Sequence, residues 1–389
     1  MFKILRKKRP AMSNHIFEKT YVSFGIFILG KVSLILVLGG AGDMGSGVVE
    51  ELCMRGLRVD IGDINIEKAV KLSEFLRNYG EVGVVKVNVA SRDELIEVVK
   101  KYDVVVNTVG PFYKYGYSIA STLIEAGVNF IDICDDYDAC ENILSLSGKA
   151  VESNVTGITG LGWTPGISNI LAKKGFEELG GDVNAVDIWW FGSAADSKGL
   201  AVVMHLFYAL TGEVPMYLNG RFIKVKAGSS PEYVEFPGIG RLKLYFTGHP
   251  EPITLPRNMK INERVTIRGG LIPEWQNILA KFFIKIRLTS TVDRLERFSR
   301  FIHKIEDVFR SGGKQVSGVR VDVIKDGEKV SYVVMDRMRK LTSIPASIGA
   351  EMIVREKIKA VGVHPPEKII DPNEFLQELQ SRKINVTRL

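Results

Sequence analysis

The sequence predicts an α/β protein, with an N-terminal doubly wound parallel sheet followed by a second α+β domain built on a mixed sheet. Three observations carry this. Between Val32 and about Ile158, apolar runs of five to seven residues alternate with amphipathic stretches of ten or more, the rhythm of strand and crossover helix. A glycine-rich turn directly follows the first of these runs. Beyond Thr164 the alternation stops, and β-rich sequence punctuated by Gly and Pro takes over.

The strands expected in the first domain are 32–38, 57–61, 82–87, 103–107, 129–133 and 155–159. Helical periodicity fills 44–55, 66–79, 91–100, 116–126 and 138–152, with Ser91 and Glu94 spaced as a capping box. In the second domain a helix is expected over 166–179, then β-rich sequence from 184 to 268 and helices over 274–283 and 291–310. Strands 316–325 and 328–336 flank Asp326-Gly327, a strong hairpin signal, and a last helix over 346–360 follows Pro345.

The chain has 389 residues, 46% of them hydrophobic, enough for two cores. Its net charge of +7 is concentrated at the start, where Lys3, Arg6, Lys7, Lys8, Arg9, Lys19 and Lys31 face the single acid Glu18. The remainder is nearly neutral, which excludes a nucleic-acid partner. Cys53, Cys134 and Cys140 are too few for a disulfide framework and wrongly spaced for zinc. No metal is expected, and a cytoplasmic location fits. The basic run and apolar Tyr21–Gly30 resemble the opening of a signal peptide, yet they merge across Lys31 into the first strand. One strip cannot be both membrane span and central strand, so residues 1–31 are expected to be a disordered or over-extended leader and a membrane role is not favoured.

Gly40-Ala41-Gly42-Asp43-Met44-Gly45 follows a β-branched strand and opens an amphipathic helix, the context that gives the G-x-G-x-x-G pattern meaning. Gly40 permits the tight turn, Gly42 admits a pyrophosphate to the backbone, and Gly45 lets helix and strand pack closely. Asp63, 23 residues after Gly40, closes the second strand where an acid accepts both ribose hydroxyls. That favours NAD and leaves NADP open. Asn88-Val89 and Asn107-Thr108-Val109-Gly110 end the third and fourth strands and are expected beside adenine and the nicotinamide ribose. Residues 32–160 thus read as a Rossmann domain.

The sequence resembles the saccharopine dehydrogenase family, including its lysine 6-dehydrogenase-like and carboxynorspermidine-dehydrogenase relatives. The resemblance runs through the glycine turn, Val106–Pro111, Gly127–Asp132, Gly160-Leu161-Gly162-Trp163-Thr164-Pro165-Gly166-Ile167-Ser168-Asn169, Thr342–Ala350 and Gly362-Val363-His364-Pro365-Pro366-Glu367. Asn129 stands where the family often has His, and the leader has no family counterpart. The resemblance implies a substrate domain over 161–340 and a C-terminal helix and tail, 341–389, returning to the Rossmann domain. It also implies a homodimer, with the exposed face of the late hairpin as the contact, and oxidation of an amine of an amino acid or amino-acid adduct.

Such chemistry needs a base, because hydride leaves a carbon whose nitrogen lone pair is free. Asp132 and Asp135, with Asp136 beside it, follow the fifth strand at the ligand-binding end of the sheet and are the first candidates. Tyr113, Lys114 and His249 are further catalytic candidates. Thr164 reads as a helix cap and Pro165 as the first helical residue, so free amides near Thr164, Pro165, Gly166, Ser168 and Asn169 are expected to hold a substrate carboxylate, with Arg268 as a second clamp. His205, in an apolar helix, and Trp189-Trp190-Phe191 read as core. No Tyr has a Lys four residues on, which excludes a short-chain dehydrogenase. Two other readings stay open: a semialdehyde dehydrogenase with Cys134 as nucleophile, and a non-enzymatic NAD-binding redox sensor.

Overall fold

The computed structural model describes residues 33–193, 195–196, 199–305 and 314–389, and Ser33–Leu389 form one compact unit. The expected leader, the start of the first strand at Val32 and the end of the helix expected over 291–310 lie outside the described residues.

Strands β1 (Leu34–Leu38), β2 (Arg58–Asp63), β3 (Val82–Lys86), β4 (Val104–Asn107), β5 (Asn129–Asp132) and β6 (Thr156–Ile158) join a late strand, β15 (Gly362–His364), in one sheet. Its order is β15-β6-β5-β4-β1-β2-β3, and every pairing is parallel. The chain runs outward from β1 to β2 and β3, then crosses back to place β4 on the other side of β1, so a crevice opens above the carboxyl ends of β1 and β4. The connecting helices are α1 (Asp43–Met54), α2 (Ile66–Leu76), α3 (Arg92–Val99), α4 (Phe112–Glu125), α5 (Tyr137–Leu144) and α6 (Ser147–Glu152). Helix α4 starts earlier than the periodicity suggested, and the single helix expected over 138–152 is two. The capping box does not form: Ser91 stands at the N-cap of α3 without a side-chain bond, while Glu94 accepts from the Asn88 amide at 2.9 Å.

After α7 (Ile167–Glu178) come β7 (Val183–Ser193), α8 (Leu200–Ala209), β8 (Glu213–Leu218), β9 (Arg221–Lys226), β10 (Glu232–Phe236), β11 (Gly240–Phe246), α9 (Glu251–Asn258) and β12 (Ile261–Ile272). Helices α10 (Trp275–Lys285) and α11 (Val292–Lys304), the hairpin β13 (Ser317–Lys325) and β14 (Glu328–Asp336), and a final strand, β16 (Val386–Arg388), complete the second layer. The mixed sheet runs β10-β11-β12-β7-β13-β14-β16, with β8 and β9 branching from β12. Alternation sets its faces: Val186, Ile188 and Trp190 of β7 join Val265 and Ile267 of β12 in the main core, whereas Trp189 and Phe191 pack with Phe236 on the other side. Asp326 and Gly327 both take positive φ, as a two-residue hairpin turn requires. Within the sheet, β13 of the hairpin pairs with β7, and β16 pairs with β14 at Tyr332–Val334.

The helix expected after Pro345, α12 (Met338–Val354), begins well before that proline. Proline removes one backbone donor, and burial of Leu341, Ile344, Ala346 and Ile348 around it outweighs that loss. Helix α12 packs on α1, where a Cβ on Gly47 would stand 2.6 Å from Ser343 Oγ. Helices α13 (Pro366–Ile369) and α14 (Pro372–Ser381) then lead to β16. Among the described residues no helix is long and apolar enough to cross a membrane.

Candidate functional site

The glycine turn leaves β1 with Gly39 at φ +72°, and the Gly39 and Gly40 amides donate to the Gly62 carbonyl. A Cβ on Gly45 would lie 2.2 Å from the Gly39 carbonyl oxygen and 2.6 Å from Thr108 Oγ1; one on Gly40 would lie 2.8 Å from the Val37 carbonyl oxygen. Gly42 caps α1, and a Cβ there would lie 3.0 Å from the Gly39 oxygen. The result is a backbone cradle at a helix start, whose first-turn amides at Met44 and Gly45 have no intrahelical acceptor and favour an anion. These residues fit a dinucleotide pyrophosphate.

Asp63 braces this cradle, its carboxylate accepting from the Ala41 amide at 3.0 Å and the Asn65 amide at 2.8 Å. Asn65, not Asp63, caps α2 by accepting from the Lys68 amide. Asn88 and Val89 follow β3, where the Asn88 side chain accepts from the Ala90 amide. Asn107 ends β4 and accepts from the Val109 amide at 3.0 Å, while Thr108 Oγ1 donates to the Leu38 carbonyl at 2.7 Å. This lashes the β1 and β4 ends together, with Gly110 just beyond.

A cavity of about 240 Å³ opens from the crevice. Met44, Thr108, Gly110 and Pro111 line its Rossmann side, Asp135 and Asp136 enter from the loop after β5, and His205, His249, Trp190 and Leu271 close it from the second layer. The Trp190 indole lies across Gly269, where a Cβ would come within 1.9 Å of the ring. His205 Nδ1 stands 2.9 Å from Asp136 Oδ1 and 3.4 Å from Asp135 Oδ1. Asp136 Oδ2 in turn accepts from the Tyr113 amide at 2.9 Å.

Electrostatics separates these groups. Burial deep in the cavity, reinforced by Asp136 and opposed by His205, pushes the Asp135 carboxyl up to about 7. A third of its side chain nevertheless remains accessible, because the cavity itself reaches it. Burial disfavours a charged His205, but the Asp135 and Asp136 carboxylates outweigh it and raise the imidazole to about 9. His249, its ring 5.1 Å from that of His205, is held neutral by burial and by the neighbouring imidazolium. The cavity thus combines a protonated imidazole, a neutral one, and a carboxyl poised to exchange a proton near neutrality.

The other candidates fall elsewhere. Asp132 is buried outside the cavity wall, and one of its oxygens accepts from the Cys134 and Gly160 amides and from Thr159 Oγ1. Despite those bonds burial raises it to about 6, but it organises the loop and does not line the cavity. Lys114 pairs with Glu296 at 3.2 Å on the surface. Tyr113 stacks on Tyr208 with centroids 4.7 Å apart, away from the cavity wall. Cys134 is fully buried and its thiol is pushed well above the usual range, the reverse of what a nucleophile needs.

Thr164 and Pro165 line the cavity, but Thr164 is no helix cap: α7 starts at Ile167 and Thr164 Oγ1 donates to Glu251 Oε1 at 2.6 Å. Nor are the amides free for a carboxylate. Gly166 N–H goes to Asn169 Oδ1, Ile167 N–H to the Gly162 carbonyl and Ser168 N–H to that of Trp163. Ser168 Oγ donates to Glu251 at 2.6 Å and Asn169 Nδ2 to Glu367 at 2.9 Å, so both serve the buried junction between layers. Arg268 lies on the opposite face of the mixed sheet: it is in register with Trp189, not Trp190, and pairs with Glu232 at 2.8 Å over the Phe246 ring.

Sequence reasoning missed His205 and Trp190 as cavity residues and Glu251 as the junction carboxylate. The one signal for His205 was an ionisable side chain inside the apolar stretch Leu200–Ala209. Trp190 carried none, since the run Trp189-Trp190-Phe191 sends its members to both faces.

A glycine-turn parallel sheet sharing its cavity with a second mixed sheet defines a two-domain nicotinamide-dinucleotide-binding oxidoreductase. The chain belongs to the saccharopine dehydrogenase family: the saccharopine dehydrogenase NADP binding domain matches residues 35–158, and the saccharopine dehydrogenase C-terminal domain matches residues 162–384. It is similar to carboxynorspermidine synthase of Vibrio alginolyticus, 24% identical over 42% of this chain and 43% of that protein. Similarity also extends to a lipid droplet localized protein of Caenorhabditis elegans, 28% identical over 39% of this chain and 38% of that one. A saccharopine dehydrogenase-like oxidoreductase of Rattus norvegicus is 29% identical over 31% of this chain and 29% of its own. The aligned segments therefore span less than half of these relatives. The fold is similar to that of apo saccharopine dehydrogenase (L-Glu forming) from Saccharomyces cerevisiae, with a TM-score of 0.62 at 13% identity over 92% of this chain and 100% of that chain.

Proposed function

We propose that the protein is an NAD-dependent oxidoreductase acting at a carbon–nitrogen bond, amine to imine or the reverse. The observation that carries this reading is that a single cavity is lined both by Met44, Thr108 and Gly110 beside the glycine turn and by the Asp135–Asp136–His205 set. When bound, the nicotinamide supplies the hydride acceptor. Asp135 takes a proton from the substrate ammonium and frees the nitrogen lone pair, which forms the C=N bond as the C–H bond breaks. His205, protonated and anchored by Asp136, orients Asp135, and neutral His249 and Trp190 keep water from the reacting carbon. Asp63, beside the cradle, supports NAD over NADP, since a 2′-phosphate placed there would meet its carboxylate.

Nicotinamide absorbance with an amine panel tests the reaction. Asp135→Asn is expected to lower kcat by roughly 100- to 10,000-fold, the range of general-base catalysis, without changing dinucleotide affinity. Full turnover by this variant would refute the assignment. NADP binding tighter than NAD would refute the cofactor preference alone.

A further inference from the structure

We infer that the cavity takes a lipophilic amine, an alkyl or aryl-alkyl ammonium ion without carboxylate groups, and not a free amino acid. This rests on the reading of the cavity as a C–N oxidation site. Its second-layer wall is mostly apolar, built from Trp190 of β7, Val202, Leu206 and Phe207 of α8, and Leu279 and Phe283 of α10, with Ser193 and Gln276 as its uncharged polar members beside the two imidazoles. Against this wall stands one charged set, two carboxylates around the His205 imidazolium. Among the described lining residues there is no Lys or Arg.

Each carboxylate receptor that the chain suggested is engaged elsewhere. Arg268 faces away with Glu232 and Phe246, Lys114 is held at the surface by Glu296, and the amides of Gly166, Ile167 and Ser168 are satisfied within the loop. A substrate carboxylate would meet one cation, the His205 imidazolium, already paired with Asp135 and Asp136, and would otherwise be desolvated against hydrocarbon within reach of the Asp135 carboxylate. An ammonium head, by contrast, finds Asp135 as partner and base, and its apolar tail replaces water along Leu206, Leu279 and Phe283. In the balanced reaction a primary alkylammonium ion and oxidised NAD give the corresponding iminium ion, NADH and one proton. The amine carbon is oxidised and the nicotinamide reduced: the C–H electron pair leaves as hydride, the proton goes from nitrogen to Asp135, and the freed lone pair closes the C=N bond.

Initial rates with NAD decide between the classes, comparing octylamine, decylamine and 2-phenylethylamine with lysine, glutamate and saccharopine. A kcat/KM at least ~100-fold higher for the lipophilic amines is expected, since a carboxylate would have to compete with Asp135 and Asp136 for the His205 imidazolium. Equal or better turnover of the carboxylated set overturns the inference while leaving the C–N reaction standing. Quenching of Trp163 and Trp190 fluorescence in NADH-loaded protein separates the two ideas. Lipophilic amines that quench without turnover support the ligand class and refute the reaction; absence of quenching by any of them overturns the ligand class. Leu279→Arg, which places a cation in the apolar wall, is expected to weaken quenching by decylamine by ~10-fold or more, and an unchanged response would count against this wall as the binding surface.

Discussion

Gly45→Ala is the sharpest probe of the cofactor cradle. Its new methyl would lie 2.2 Å from the Gly39 carbonyl oxygen and 2.6 Å from Thr108 Oγ1, both fixed by short hydrogen-bonded backbone. Ordinary contact demands about 3.4 Å or more, so the start of α1 must move off β1 by roughly 1 Å. Overpacking of this kind costs about 1–3 kcal/mol of stability, which leaves a folded chain. The same shift lengthens the first-turn amide contacts to the pyrophosphate, hydrogen bonds to a charged group worth about 1.5–3 kcal/mol each. Losing one raises the NADH Kd by roughly 10- to 150-fold. Calorimetric titration reads this directly. Gly148→Ala is the control, a helical glycine with nothing within 4 Å of the added methyl, where NADH affinity should not change. An unaltered Kd in folded Gly45→Ala would refute the cradle.

Three further outcomes follow from the charges and packing. Turnover should rise as pH climbs through about 7, where Asp135 ionises, and fall through about 9, where His205 loses its proton; a flat profile between these values would exclude the pair, whose inflections belong to the coupled set. Burial raises Glu367 from 4.5 to about 7, so its proton stabilises the folded state at acid pH and that contribution, about 3 kcal/mol, disappears as pH rises through 7. Urea unfolding at acid and alkaline pH should show this loss shrinking in Glu367→Gln, and an identical pH dependence in the variant would contradict it. Arg268→Ala should lower stability by about 1–3 kcal/mol through the lost Glu232 and Phe246 contacts, yet leave the amine KM unchanged; a KM raised tenfold would put Arg268 back at the substrate.

What the sequence disclosed was local in origin. The run Leu34–Leu38, the glycines after it and the acid closing β2 lie within one βαβ unit, and each obeys sterics that act over a few residues. Strand β15 went unseen because three residues carry no periodicity, and β16 for the same reason. Pro345 misled because its local penalty is smaller than the burial it accompanies in α12. Arg268 misled because its face depends on pairing with Trp189, 79 residues away, and a one-residue change of register would have turned it into the cavity. Thr164 behaved as a cap candidate in sequence, yet its partner Glu251 lies 87 residues on.

The cavity residues share a more basic obscurity: they exist as a set only because two layers meet. Asp135 and Asp136 come from the loop after β5, His205 from α8, and His249 from the turn into α9, so no window of sequence contains the constellation. Behind Thr164 a buried polar chain ties the two layers together beside His249. Glu251 Oε1 gathers the Thr164 and Ser168 hydroxyls, Asn169 donates to Thr254 and Glu367, and Asn258 donates to Glu367 as well. Each carboxylate would be costly in this interior alone, and its donors come from different elements, so the cost is offset only when α7, α9 and α13 stand in one arrangement. His249 lies two residues before Glu251, and Thr164 is both a donor in the chain and part of the cavity wall. The same bonds that satisfy the junction therefore anchor the stretch that carries His249 against the Thr164 wall of the cavity, while Asp136 holds His205 directly.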